Sequence, residues 1–395
     1  LRLHNPAKSA RFDRSKQPIV EQRTVTQAAN MGSDPHIIID AHLDIAYNVL
    51  RNKRNFMESV YAQRVREAGR PIETEEGSIT VALPQALLGR VGIVFGTLFV
   101  SPAASPNFTD AQISYSTPRE AYQRALAQLD VYQRLADEHE SIVLIRTQAE
   151  LTRVLASWET GKEFADHRLG VVLSMEGADP ILEPQQFEEW YERGIRAVGL
   201  AWGETRYSAG TGHPGPLTDM GRELMEIMAD FKAILDVSHM AQEAFFEALD
   251  RYEGTIIASH SNPRRFVNGD RHLSDDMIRR LAERDGVMGV VLYNRFLKQD
   301  WVRSSGSRKN EVTLDNQVIA AIDHICQITG SAQHVGIGSD LDGGFGLQSA
   351  PAEIDTLSDI LLIETALRAR GYAPTDIASI LHGNFLRILR RTLPI

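Results

Sequence analysis

Eight short apolar runs, each bounded by turn residues, recur along the chain with amphipathic segments between them, and this alternation leaves few folds open. The runs are residues 36–44, 91–100, 169–176, 194–201, 233–239, 255–260, 286–293 and 334–340. Stretches apolar throughout, such as Gly170-Val171-Val172-Leu173, suit strands buried on both faces, as in parallel sheets covered by helices. Helical periodicity marks 118–139, 184–193, 218–231, 241–252, 274–284, 314–329, 354–370 and 374–390. Ser274-Asp275-Asp276 supplies a cap before Met277-Ile278, and Pro374 opens the last segment. Strand and helix in regular alternation predict a (β/α)8 TIM barrel, an α/β fold whose chemistry sits at the C-terminal ends of the strands.

A chain of 395 residues is long enough for two or three domains, but the pattern assigns residues 34–395 to one barrel and 1–33 to an N-terminal arm docked on it. Two stretches exceed minimal barrel loops, 49–90 after the first run and 296–313 after the seventh, and both are expected as lids or pocket walls on the active face. A formal charge of -10 offers no broad footprint for nucleic acid. The longest apolar run, Val91 to Val100, is half of the roughly 20 residues a membrane helix needs, so no transmembrane segment is expected. Residues 1–32 are basic but lack the apolar region of a secretory signal, and no export is expected. The single Cys326 cannot form an internal disulfide and reads as a core thiol, which suits a reducing compartment; the expected location is cytoplasmic.

Ionisable residues at barrel strand ends are hard to explain as stabilising groups, and here they end five of the runs. Asp40-Ala41-His42-Leu43-Asp44 ends the first, Met175-Glu176 the third, Asp236-Val237-Ser238-His239 the fifth, Ser259-His260 the sixth and Gly338-Ser339-Asp340 the eighth. His42 and Asp44 are two apart, so on an extended backbone they point the same way and can share one ion. With Glu176, His239 and His260 they make three imidazoles and two carboxylates, a mixed set suited to Zn²⁺. Five ligands exceed what one open catalytic zinc takes, whereas one bridging carboxylate lets them serve two ions. A lone histidine at a strand end is more often a satisfied core residue, and Asp-x-His-x-Asp alone is a weak signal. The weight lies in the conjunction.

These residues resemble the membrane (renal) dipeptidase family, the M19 metallopeptidases of the amidohydrolase-like barrels, over roughly residues 36–390. The motifs that carry the resemblance are the first-run segment 40–44, Ser174-Met175-Glu176-Gly177, Gly194-Ile195-Arg196, Leu235-Asp236-Val237-Ser238-His239, Ser259-His260-Ser261, Arg271-His272-Leu273-Ser274-Asp275-Asp276, Gly336 to Gly343, and Gly383-Asn384-Phe385-Leu386-Arg387. The resemblance implies two Zn²⁺ per chain, one held by His42 and Asp44, the other by His239 and His260, with Glu176 bridging. It implies that Glu176 and Asp340 are catalytic, Asp340 passing a proton from attacking water to the leaving amine. Arg271 resembles the family arginine that holds a substrate carboxylate, for which a bidentate guanidinium is well shaped. Tyr293, closing the seventh run, is expected among the substrate contacts.

One departure stands out. Where the family usually has Leu-Thr-His after the fourth strand, with its histidine near the reacting carbonyl, this chain reads Leu200-Ala201-Trp202-Gly203. Trp202 donates only through its indole N–H. His213, in the glycine-rich 208–215 segment, is a candidate replacement for the missing imidazole. The leading expectation is a binuclear zinc dipeptidase, with tolerance of a C-terminal D-residue implied by the resemblance. The alternatives are a hydrolase of another amide, a lactam or a lactone, and a non-catalytic binding protein. A small dipeptide or amide is the expected partner, with a homodimer implied by the family habit.

Overall fold

The computed structural model describes residues 36–103, 110–303 and 311–395. The N-terminal arm expected at 1–33 lies outside the described residues. Eight parallel strands form the barrel: β1 (Ile38–Leu43), β2 (Val91–Phe99), β3 (Leu169–Glu176), β4 (Ile195–Gly199), β5 (Ile234–Asp236), β6 (Thr255–Ala258), β7 (Val287–Val290) and β8 (Val335–Ile337). Each falls inside one apolar run. Neighbours pair in chain order, and the ring closes where Asp40 of β1 lies opposite Ile337 of β8. The fold is the (β/α)8 TIM barrel that the alternation predicts.

A ninth short strand, Ile142–Leu144, pairs with the beginning of β3, while β4 pairs with its end, so the two share one edge of β3. Helix Gln148–Ala156 follows it, opened by Thr147, which accepts from the Glu150 backbone N–H in a reciprocal capping box. Both elements escape the sequence pattern, although the Thr-x-x-Glu signal is present. The segments at 314–329 and 374–390 do form helices, each containing a π-helical turn, Leu314–Val318 and Ser379–Gly383.

Ile93, Phe95, Val172, Ala197, Ile234, Ile257 and Val287 come from six different strands, yet pack into one cluster with Phe385 and Leu389 of the last helix. Residues from six strands of a ring meet only in its interior, so this cluster plugs the barrel below the site. A larger cluster packs helix residues such as Ala121, Leu129, Leu224 and Ile322 with strand residues Val94, Val171 and Leu235. At about 25 cal/mol per Å² these two layers dominate the stabilisation.

The stretch 49–90 is a structured wall, not a mobile lid. It carries helices Val60–Glu67, Pro71–Glu75 and Leu83–Leu88. Buried Asp342, after β8, accepts from the Thr80 hydroxyl (2.7 Å) and the Val81 backbone N–H (2.9 Å), and Arg54 donates to Glu67 (3.0 Å) and the Gly77 carbonyl (2.7 Å). Of the stretch 296–313, residues 296–303 and 311–313 are described, and Arg303 donates to the carbonyls of Glu73 and Thr74, tying the two long stretches together.

Candidate metal centre

The strand ends converge on Glu176, the last residue of β3. Its Oε1 lies 3.0 Å from His239 Nε2 and 3.3 Å from His260 Nε2, and its Oε2 lies 3.5 Å from His42 Nε2. His42 Nε2 is also 3.4 Å from Asp44 Oδ2 and 3.8 Å from Asp340 Oδ1. The His42 and His260 rings stack at 3.6 Å. All six residues expected at strand ends therefore meet in one buried cluster, and two overlapping sets, His42–Glu176–His260 and His42–Asp44–Asp340, have ligand atoms close enough to share an ion.

The backbone aims these groups by turning sharply where the strands stop. Gly177 (φ +84°), His239 (φ +66°) and Asp340 (φ +58°) all adopt the left-handed conformation, which costs a non-glycine residue about 1 kcal/mol or more and is kept where surroundings over-determine it. Two buried carboxylates brace the turns. Asp40 accepts from the backbone N–H groups of His42 and Ser339 and from the Ser339 hydroxyl. Asp236 accepts from the N–H groups of Ser238 and Ser259 and from the Ser259 hydroxyl. The same device thus joins β1 to β8 and β5 to β6.

Each imidazole has a hydroxyl at Nδ1: Thr97 beside His42 (3.4 Å), Thr211 beside His239 (3.1 Å) and Ser259 beside His260 (2.7 Å). That leaves every Nε2 turned toward Glu176, the arrangement of ligating histidines steered from behind. His42 Nε2 and Asp44 Oδ1 are buried and have no hydrogen-bond partner among the described residues. His239 Nε2 and His260 Nε2 stand 3.1 Å apart, a spacing that suits two lone pairs converging on a cation. The donor set fits a divalent metal.

Electrostatics point the same way. Burial, reinforced by the Arg271 charge, pushes His239 down to about 4, and burial with the His42 and Arg271 charges holds His260 well below the usual imidazole range. Burial alone would depress His42 too, but Glu176 and Asp44 outweigh it and raise it well above that range. Burial raises Glu176, yet the His42 charge and hydrogen bonds from His239 and His260 hold it well below an ordinary carboxylate. Burial pushes Asp340 well up; His42 and Arg271 oppose this, while Asp44 and Glu176 reinforce it. Three carboxylates this close need positive charge, from protons or from a cation.

A cavity of about 890 Å³ opens above the cluster, lined by Asp44, Glu176, His239 and Asp340 and by the expected substrate contacts Arg271, Trp202, Tyr293 and His213. Arg271 is buried, not a surface arginine. It donates to the His260 carbonyl (2.8 Å) and the Ser261 hydroxyl (3.3 Å), its Nε has no partner among the described residues, and burial lowers its pKa. Tyr293 stacks on Phe345 at 4.2 Å. Trp202 lies 6.0 Å from the His239 ring and 5.3 Å from Phe99. His213 sits on a hairpin of Ser208–Gly210 and His213–Leu217, its side chain 59% exposed and 3.8 Å from Glu204, outside the buried cluster. Sequence reasoning missed Tyr47, Phe99, Glu75, Glu76 and Arg295 in the cavity wall, and the bracing roles of Asp40, Asp236 and Ser259. The period-two spacing of Asp40 with His42, and of Asp236 with Ser238, was the available signal for the braces.

The model of the membrane dipeptidase family, peptidase family M19, matches residues 27–393. The chain belongs to that family. Membership makes it a metallo-dipeptidase and implies a metal cofactor. An uncharacterized dipeptidase of Schizosaccharomyces pombe is 26% identical over 310 residues, covering 77% of this chain and 71% of that protein. An uncharacterized protein of Klebsiella pneumoniae is 31% identical over 235 residues, 57% of this chain and 83% of that one. A solved metallopeptidase from Rhodobacter sphaeroides, liganded with a phosphinate mimic of the dipeptide L-Ala-D-Ala, superposes with TM-score 0.72 at 24% identity, covering 91% of this chain and all of that one; at that identity it speaks for the fold. No described helix is long and apolar enough to cross a membrane.

Proposed function

We propose that the M19 dipeptidase described here is a binuclear zinc enzyme that cleaves the peptide bond of dipeptides, those with a C-terminal D-residue included. The observation that carries the reading is Glu176, whose two oxygens face different partners, Oε1 toward His239 and His260 and Oε2 toward His42. His42 and Asp44 would hold one ion, His239 and His260 the other, and Glu176 both. When bound, such ions polarise a carbonyl and lower the pKa of water.

The chain's own groups supply the rest. Arg271, buried with an unpartnered Nε, presents a bidentate face to the substrate carboxylate and fixes which bond lies over Glu176. Asp340, which lines the cavity 3.8 Å from His42 Nε2, takes the proton of the attacking water and passes it to the departing amine. Phe296 beneath Arg271 and Phe99 across the cavity exclude water and strengthen both interactions. The D-residue part of the reading is supported by the ligand mimic bound to the Rhodobacter sphaeroides protein.

Metal analysis with assay of L-Ala-D-Ala and L-Ala-L-Ala, in the native chain and in Asp340→Asn, tests this. Two zinc ions per chain and hydrolysis lost in the variant are expected; metal-free active protein, or undiminished turnover in the variant, overturns it. A second reading rests on Trp202, which puts an indole where the family usually has an imidazole. In that reading the bond cleaved is another amide, a lactam or a lactone, and a panel of cyclic amides and lactones against dipeptides separates the two.

A further inference from the structure

The two sides of the cavity differ in chemistry. On the side of β6 and β7 stand the buried guanidinium of Arg271 over the Phe296 ring, with Arg295 and Tyr293. On the side of β1, β2 and β4 stand three aromatic rings. Tyr47, just after β1, lies 6.1 Å from Phe99 at an interplanar angle of 60°, and Phe99, ending β2, lies 5.3 Å from Trp202 at 58°. These are the edge-to-face spacings of a packed aromatic cluster, and Trp202 reaches to within 6.0 Å of the His239 ring. The aromatic wall therefore begins where the metal cluster ends.

Placement of a dipeptide follows from that polarity, given the dipeptidase reading above. Its carboxylate goes to Arg271 and its scissile bond lies over Glu176 and Asp340. The side chain of its N-terminal residue then points to the opposite side, against Trp202 and Phe99. We infer that Trp202, backed by the nearly buried rings of Phe99 and Tyr47, forms a specificity wall that selects dipeptides with a large aromatic N-terminal side chain.

Two further observations support that class over others. The cavity of about 890 Å³ lies toward the upper end of those that enclose drug-sized ligands, far more than two alanines fill. Of the acids lining the cavity, Glu76, which touches the wall, is already engaged. Glu76 accepts from the Tyr47 hydroxyl (3.2 Å) and pairs with Arg51, whose guanidinium lies 5.6 Å over the Tyr47 ring. An aromatic ring adds edge-to-face contacts to the wall and buries apolar area.

The test is a kcat/KM panel of Phe-Ala, Trp-Ala, Leu-Ala, Lys-Ala and Ala-Ala with the zinc-loaded enzyme, repeated with Trp202→Ala and Phe99→Leu and accompanied by the quenching of tryptophan fluorescence on binding. Phe-Ala and Trp-Ala should exceed Ala-Ala by about tenfold or more, chiefly through KM. The Phe-Ala to Ala-Ala ratio should collapse toward one in Trp202→Ala and fall partly in Phe99→Leu. Equal efficiency across the panel, a preference for Lys-Ala, or an unchanged ratio in Trp202→Ala overturns the wall while leaving the dipeptidase reading intact. Absence of hydrolysis with every member overturns both.

Discussion

The hydroxyl of Ser259 stands 2.7 Å from Nδ1 of His260 and gives its own proton to the buried carboxylate of Asp236. With its proton committed, that oxygen accepts from Nδ1–H, and the imidazole is left with its lone pair on Nε2, facing Glu176. Removing such a support usually costs 10- to 100-fold in metal affinity, so Ser259→Ala should weaken metal binding by about that factor. Chelator competition measures it, and Ser259→Thr, which keeps the hydroxyl, should recover most of the loss. Equal affinity in the alanine variant would show that His260 is oriented by packing alone.

Asp340→Asn separates chemistry from architecture. Asparagine tolerates the left-handed backbone at this position (φ +58°) and removes a buried carboxyl crowded by Asp44 and Glu176. Turnover should drop by about 10²–10⁴, the usual worth of a positioned proton donor, while the melting temperature stays level or rises. A large fall in melting temperature would mean that the carboxylate is structural.

Arg271→Lys should raise KM for dipeptides with a smaller change in kcat, because an ammonium cannot reproduce the guanidinium fork. Dipeptides amidated at the C-terminus provide the control. They should be poor substrates for the native enzyme and should lose little more in the variant; an equal loss on both substrates would argue that Arg271 only supports the loop.

Gly343 touches the site through what it lacks. A Cβ there would collide with Asp340 Oδ1 and come within 2.9 Å of Asp44 Oδ2. Both are side-chain ends that can swing aside, so Gly343→Ala should fold normally yet lose activity by about tenfold or more as the two carboxylates are displaced. Thermal melts beside steady-state kinetics read the two effects separately.

His272 gives the fold an acid-side weakness. Burial, with Arg271 and Arg264 nearby, pushes its pKa from 6.5 down to about 3, and its Nδ1 has no partner among the described residues. The neutral form is the folded form. Its contribution is therefore intact above 6.5 and is lost progressively as pH falls from 6.5 toward 3, since the unfolded chain takes up a proton that the folded one refuses. Between pH 7 and 5 this amounts to about 2 kcal/mol. Urea titrations of the native chain and His272→Gln at both pH values should show a shallower pH dependence in the variant; parallel dependences would assign the acid sensitivity elsewhere.

The barrel is legible in the sequence because a strand buried on both faces has to be apolar end to end, as Val171 to Leu173 are, and because polar groups at the ends of such strands have no structural excuse. His42 and Asp44, two apart on an extended backbone, are the clearest example. The aromatic wall is not legible in this way. Tyr47, in the helix after β1, and Phe99, ending β2, each read as an ordinary core residue, and only Trp202 stands out in the sequence, as the departure after the fourth run. Helix Gln148–Ala156 escaped for a different reason: it spans only nine residues, and the Thr147–Glu150 cap is what announces it.

The ring closes between its first strand and its last, at Asp40 and Ile337, with the Asp40 carboxylate clasping Ser339. His42 stands on one side of that seam and Asp340 on the other. During synthesis the first of these emerges long before the second, so a growing chain carries most of the centre's residues while still unable to assemble it. Hydrolytic competence thus waits on the eighth strand, because the centre straddles the seam that this strand closes.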